Sequence, residues 1–173
     1  GETDSDNGWR EHKASGGCLI DVPSGEIVLR GLAMPHSPRL YNGRLYLLDS
    51  GHGALLAVDP RSGERSTVAV LPGFTRGLDC FAGHAFIGLS RIRESAVFGG
   101  LPLEERGEEL RCGLAVVNLS SGALAGLLWF NAGVEEVFAV AVLPGYRHPV
   151  LIGPDTHTDD TPTVWMVPPA VEP

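Results

Sequence analysis

The chain repeats one short pattern, a Ser-Gly turn placed between two apolar runs of strand type. The turns occur at Ser24-Gly25, Ser62-Gly63 and Ser121-Gly122. The second interval between turns is longer than the first, and one polar insertion between two strands accounts for the difference. A strand-rich repeat with a period of roughly 40 residues is typical of a β-propeller.

The unit from His36 to Pro72 shows the pattern most clearly. Its apolar alternation predicts four short strands, joined by an Asn42-Gly43 hairpin turn, a glycine loop around His52 and a turn at Pro60–Gly63. Four antiparallel strands of this kind form one propeller blade. The unit that follows repeats the order and carries the insertion, residues 90–112, between its second and third strands.

Strands at both ends of the chain lack partners in this scheme. Residues 18–22 and 26–32 predict the last two strands of a preceding blade. Residues 135–143, 150–152 and 163–167 predict the first three strands of a following one, with a turn at Pro144-Gly145 after the first of them. The predicted fold is therefore all-β, a fragment of a β-propeller with two complete four-stranded blades and two partial blades. We expect one partial propeller domain over residues 1–173, with residues 168–173 as a tail.

Composition excludes several classes of partner. The net charge is −8 and Lys13 is the single lysine, which argues against nucleic acid, and no apolar run is long enough to span a membrane. Cys18, Cys80 and Cys112 are odd in number and widely spaced, which fits neither a disulfide framework nor a zinc site. Buried thiols in a reducing compartment are the favoured interpretation, and they predict a cytoplasmic protein.

Polar residues concentrate at one end of the predicted blades. We call near end the end that holds the entry to each first strand and the loop between the second and third strands. His36, Arg76 and either Glu135 or Glu136 fall at equivalent entries, which predicts a ring of mixed charge at the mouth of the channel. The alternatives are a solvated ion-pair network and a structural histidine bonded to a loop carbonyl.

The ring predicts a site for a small polar or anionic ligand. Arginines would donate charge-assisted hydrogen bonds, and His36 would orient the ligand or exchange a proton with it. The sequence holds no nucleophile elbow, phosphate loop or zincin motif, so catalytic residues, cofactors and enzymatic activity stay open. The candidate ligand-binding residues are His36, Arg39, Arg76, Arg91, Arg93, Glu94 and Glu136.

Several long stretches carry a family resemblance. MPHSPRLYNGRLYLLDSG, LPGFTRGLDCFAGHAFIGLSRIRES, FGGLPLEERGEELRCGLAVVNLSSG and GVEEVFAVAVLPG together resemble a bacterial family of uncharacterised conserved hypothetical proteins, a domain of unknown function. The resemblance implies an architecture similar to the six-bladed propellers of the strictosidine-synthase-like and gluconolactonase-like type. It brings no reaction, because propellers host enzymes, binders and scaffolds alike.

Two alternative functions belong to other classes. The first is a scaffold that holds a partner protein through the insertion at residues 90–112. The second is a metal-dependent hydrolase of the gluconolactonase-like type, for which Asp155, His157, Asp159 and Asp160 offer oxygen and imidazole ligands. Their spacing matches no dedicated metal loop, so the sequence predicts no metal site there.

Overall fold

A computed structural model describes residues 3–91 and 100–150 of the chain, and short strands dominate it. Helical structure in that part is limited to 3₁₀ turns at Gly8–Arg10, Ser50–His52 and Glu104–Arg106, and no helix there is long and apolar enough to cross a membrane. The strands are β1 (Gly17–Ile20), β2 (Ile27–Leu32), β3 (Pro35–Tyr41), β4 (Arg44–Asp49), β5 (Ala54–Val58), β6 (Arg65–Val70), β7 (Phe74–Phe81), β8 (His84–Ser90), β9 (Gly113–Asn118) and β10 (Leu124–Trp129).

The strands form three antiparallel sheets. β3 to β6 make one four-stranded sheet and β7 to β10 another, each with its strands in chain order, while β1 pairs with β2 alone. The prediction of an all-β protein is confirmed. The eight strands predicted for the two complete units all form, and each of their ends lies close to the predicted position. The insertion joins the end of β8 to the start of β9.

Register places equivalent ends of the strands side by side. In the first four-stranded sheet, Pro35, Asp49, Ala54 and Val70 are consecutive partners across the four strands. In the second, Phe74 is opposite Ser90, and Gly113 is opposite Trp129. These rows mark one end of the strands in each sheet, which we call its near edge. The tight turns such as Asn42-Gly43 lie at the opposite end of the strands, the far edge.

The two four-stranded sheets pack through their first strands, β3 and β7. The Gly77 amide donates to the Ser37 hydroxyl at 3.2 Å, and the Gly83 amide donates to the Tyr41 hydroxyl at 2.9 Å. A shared apolar core lies between the sheets, because alternate side chains of each strand point toward the neighbouring sheet. Its fully buried members include Leu48, Leu55, Leu78, Ile87, Leu89, Ala115 and Val117.

The three Ser-Gly turns have the same hydrogen bonds. Asp21, Asp59 and Asn118 open them, and each side chain accepts the backbone N–H of the serine three positions later at 3.1 Å. The carbonyl of the same residue accepts the glycine N–H at 2.8 to 2.9 Å. The glycines have φ between +71° and +73°. Any residue with a Cβ atom adopts this region only at a cost in free energy.

These turns also connect one sheet to the preceding one. A Cβ atom at Gly63 would collide with the Val28 carbonyl oxygen of β2, and one at Gly122 would collide with the Val68 carbonyl oxygen of β6. Val28 and Val68 are separated along the chain by the same interval as Ser37 and Gly77. The repeat in the sequence is therefore also a repeat in how one sheet packs on the next.

The strand predicted over Glu135–Leu143 is wrong, because this segment forms no ladder in the structure. Two of its amides bond to side chains instead: Val137 donates to the Ser90 hydroxyl at 2.9 Å and Val142 donates to the Asp79 carboxylate at 2.7 Å.

The chain divides into two compact units, residues 1–142 and residues 143–173. The second is described over residues 143–150, where the predicted turn at Pro144-Gly145 forms, with Gly145 at φ +83°. The strands predicted at residues 150–152 and 163–167 lie almost wholly outside the described residues, and so does the predicted tail.

Candidate functional site

Arg76 and Glu136, two of the predicted near-end residues, form an ion pair. Their side chains meet at 2.7 Å between Nη1 and Oε1, and only 29% and 15% of their side-chain surfaces are exposed. The Arg76 guanidinium also lies over the Phe138 ring, 4.5 Å from its centre. Glu135 is exposed, as expected from the prediction that only one of the two adjacent glutamates turns inward.

Glycines on β7 and β8 allow the Glu136 segment to approach. A Cβ atom at Gly77 would lie 2.7 Å from the Val140 nitrogen, and one at Gly88 would collide with the Val137 side chain and the Arg76 carbonyl. Both glycines are buried. The glycines therefore leave room for the segment beside β7 and β8, and the hydrogen bonds of Val137 and Val142 hold it there. This packing brings Glu136 to Arg76.

His36 is the second residue of β3, and one of its ring nitrogens has two hydrogen-bond partners. Nδ1 lies 2.8 Å from the Met34 carbonyl oxygen and 2.9 Å from the Ser50 hydroxyl. A carbonyl can only accept, so we assign the proton of the neutral ring to Nδ1, which makes Nε2 the acceptor. The ring also meets the Phe74 ring edge to face, with 5.7 Å between the centres.

The surroundings of His36 keep its imidazole neutral. Burial lowers the pKa of His36 below its usual 6.5, and the Arg76 guanidinium lowers it further. The hydrogen bond to Met34 and the Glu136 carboxylate oppose this shift with smaller effects. Arg76 and Glu136 are thus near enough to act on His36, and the neutral ring can accept a hydrogen bond or a proton.

Acidification should destabilise the protein partly through His36. In the unfolded chain the imidazole binds a proton near pH 6.5, whereas in the fold its pKa is lower. The unfolded state therefore binds more protons between the two pKa values. The stabilising contribution is complete above pH 6.5 and is lost as the pH falls toward the folded-state pKa.

The measurement is urea unfolding at pH 7.5 and pH 5.5 for the wild type and for His36→Gln. The variant should lose less unfolding free energy between these two pH values than the wild type, because glutamine binds no proton in this range. Equal losses would show that His36 has the same pKa in the folded and unfolded chains.

Two further predicted site residues, Arg39 and Arg91, do not join this group. The Arg39 side chain is exposed and its Nη1 donates to the Pro38 carbonyl of its own strand at 3.1 Å. Arg91 is also exposed. Burial raises the pKa of the Cys112 thiol, and the backbone and charge of Arg91 partly oppose this rise. Arg93 and Glu94 lie outside the described residues.

The loop after β4 supports His36, which the sequence did not reveal. Asp49 is 5% exposed, and its carboxylate accepts the Ala33 amide at 2.7 Å and contacts His52 Nδ1 at 2.9 Å. These bonds fix the 3₁₀ turn that carries Ser50, a fully buried residue. Because Ser50 is buried, it can orient His36 but cannot reach a ligand.

The insertion is anchored by contacts that the sequence did not reveal. Leu101 and Leu103 are fully buried with Phe74, and the Leu103 amide donates to the Gly51 carbonyl at 2.8 Å. Arg106 donates to the Leu71 carbonyl at 3.1 Å. The signal was two leucines on either side of Pro102, a segment too short to show a periodicity.

The described residues contain neither a disulfide nor a group of metal ligands. The three cysteines are unpaired, and burial raises the pKa of Cys80 to about 11, with a smaller effect from the Asp79 carboxylate. Within residues 3–91 and 100–150, no three His, Cys, Asp or Glu side chains are grouped as metal ligands. The acidic stretch from Asp155 to Asp160 lies outside those residues.

Comparison with known proteins identifies the family. The model of a family described as a domain of unknown function, DUF4915, matches residues 1–152, so the chain belongs to this family. No curated protein matches the sequence.

Proposed function

We propose that this member of the DUF4915 family is part of a β-propeller that binds a small polar or anionic ligand at its near edge. His36, Arg76 and Glu136 would form the site. The observation that carries the proposal is the 2.7 Å pair between Arg76 and Glu136, which joins positions 60 residues apart beside a neutral imidazole.

Repeated contacts support the propeller architecture. The two complete sheets are meanders in chain order, as in propeller blades. The Gly77 amide on β7 reaches the Ser37 hydroxyl on β3 across an interval of 40 residues. The carbonyls of Val28 and Val68, on which the Ser-Gly turns of the next sheets pack, are also 40 residues apart. Packing of each unit on the previous one is how propellers and other repeat proteins bury their cores.

The chemistry of the three side chains suits a ligand with both a donor and an acceptor. A guanidinium has five N–H donors, and the contact with Glu136 uses one of them. Neutral His36 supplies an acceptor at Nε2. The carboxylate holds the guanidinium in one orientation, so less side-chain entropy is lost when a ligand binds.

The test is a thermal-shift screen of the purified protein against small carboxylates, phosphate esters and amino acids, followed by calorimetry on each stabilising compound. Arg76→Gln should weaken binding about tenfold or more, since a charge-assisted hydrogen bond contributes about 1.5–3 kcal/mol. Arg111→Gln is the matched control: Arg111 stacks on Trp129, 5.0 Å from the ring centre, and should bind as the wild type does.

Unchanged affinity of Arg76→Gln for every stabilising compound would remove Arg76 from the site and contradict the proposal. The two alternative functions have less support. The described part of the insertion is anchored by buried leucines, and the acidic stretch offered for a metal, residues 155–160, lies outside the described residues. Both alternatives stay hypotheses, which a second thermal-shift screen against divalent ions and against peptides would test.

A further inference from the structure

A groove of about 430 Å³ lies at the far edge and is lined by both four-stranded sheets. The first sheet contributes Tyr41, Arg44 and Tyr46, and the second contributes Leu119 and the Ala82-Gly83 turn. Tyr41 is opposite Arg44 in the β3–β4 ladder, and Tyr46 lies two positions further along β4. These three side chains therefore share one face of the first sheet and lie next to one another.

The Tyr46 hydroxyl bonds to no described residue. Tyr46 is only 6% exposed, and its ring packs in the shared core with Leu48. A hydroxyl so nearly enclosed normally has a partner, because removing a polar group from water without one costs free energy. The core itself does not require the hydroxyl, since Phe86 occupies the equivalent position of β8, 40 residues further along the chain. The Tyr46 hydroxyl is therefore available to an occupant of the groove.

Two more donors are available beside Tyr46. The Tyr41 hydroxyl accepts the Gly83 amide at 2.9 Å, which leaves its own proton to be donated. Arg44 is exposed and forms neither an ion pair nor a hydrogen bond with any described residue, so its five N–H donors are available. The groove thus presents three donor side chains from two neighbouring strands.

The charge of the groove suits an anion. Among the described residues that line it none is acidic, and Arg39, opposite Tyr46 in the β3–β4 ladder, adds a second cation on the same face. Asp59 and Glu64 line a neighbouring cavity that Arg44 also borders. The Asp59 carboxylate accepts two backbone amides of its own turn, and neither acid forms an ion pair with Arg44.

We propose that this groove binds a phosphate monoester. Such a group has three acceptor oxygens and a charge of about −1.5 to −2 at pH 7, which suits the three donors. A carboxylate offers two oxygens in one plane and a smaller charge. The organic part of the ester would rest on the tyrosine rings and on Leu119, which give the groove apolar walls. This site is at the opposite end of the sheets from the proposed near-edge site and does not depend on it.

The experiment is a ¹H–¹⁵N NMR titration of the purified protein with phenyl phosphate at pH 7.5, and with benzoate as the carboxylate counterpart. The amide signals of Gly83 and Leu119 should shift to saturation. Phenyl phosphate should bind about fivefold more tightly than benzoate, because it has the additional oxygen and the larger charge.

Two variants remove one donor each. Tyr46→Phe keeps the ring, as Phe86 does in the next unit, and should weaken phenyl phosphate about tenfold, since a hydrogen bond to a charged group is lost. Arg44→Gln should weaken it about tenfold or more. Arg111→Gln is the matched control, because Arg111 stacks on Trp129 toward the near edge, and it should bind like the wild type.

The residue-resolved signals decide between the outcomes. Affinity of Tyr46→Phe equal to that of the wild type, or benzoate bound as tightly as phenyl phosphate, would overturn the inference. So would the lack of a saturable shift at Gly83 up to about 10 mM, since that range reveals a Kd of about 1 mM. Shifts confined to Gly77 and Gly88 would overturn the groove and leave the proposed near-edge site standing.

Discussion

Replacement of Gly77 by alanine should lower the free energy of unfolding by more than about 3 kcal/mol. Gly77 has φ +75°, which a residue with a Cβ atom adopts at a cost of about 1 kcal/mol or more. The new Cβ atom would also lie 2.7 Å from the Val140 nitrogen and 2.8 Å from the Ala139 Cα atom. These are backbone atoms, so no side-chain rotation can relieve the collision.

Gly83→Ala is the matched control for this prediction. Gly83 has the same φ of +75°, but nothing lies within 4 Å of its Cβ position. It should cost about 1 kcal/mol, the conformational penalty alone. Urea unfolding of the two variants measures the difference between them. Equal losses would contradict the close packing of residues 139 and 140 on β7.

The same pair of variants connects the fold to the site. Residues 139 and 140 follow Glu136 closely, so a segment displaced from Gly77 would move the carboxylate away from Arg76. Gly77→Ala should therefore lower the affinity for any ligand that Arg76 binds. Gly83→Ala, at the far edge, should leave that affinity unchanged. Calorimetry with a stabilising compound from the screen would measure both.

The strands of the two four-stranded sheets were predictable because their signals are local. Each strand of the unit from His36 to Pro72 is bounded by residues that favour a turn for a chemical reason, such as Asn42-Gly43 or the Asp59 side chain that accepts the backbone of its own turn. Counting strands from these turns also assigns Arg76 and Glu136 to the same end. The two side chains do form an ion pair, but the strand on which Glu136 was counted does not form.

The failures concern contacts between distant residues. The apolar run at residues 135–143 resembles a strand, but its amides at Val137 and Val142 bond to side chains of β7 and β8 that no local pattern reveals. Ser50 beneath His36 was missed for the same reason. A serine in a glycine loop predicts a turn, and only the fold shows that its hydroxyl reaches an imidazole 14 residues away.

The insertion shows how such a distant contact can bear on function. Leu103→Ala should lower the free energy of unfolding by about 3 kcal/mol, since a fully buried leucine leaves a cavity when it is truncated. Leu103 packs with Leu101 and Phe74, and the Phe74 ring contacts His36. The cavity would therefore open next to the Phe74 ring, which contacts His36.

Glu105→Ala is the control, because Glu105 is exposed on the same 3₁₀ turn and its loss should change stability by less than about 0.5 kcal/mol. Urea unfolding compares the two variants.

If neither differed measurably from the wild type, the insertion would be a peripheral loop, and its deletion would be a clean test of the partner-scaffold hypothesis. If Leu103→Ala has the predicted effect, deletion would remove part of the core that supports His36. A partner surface would then have to be tested by charge reversal at exposed positions such as Glu105 and Glu109.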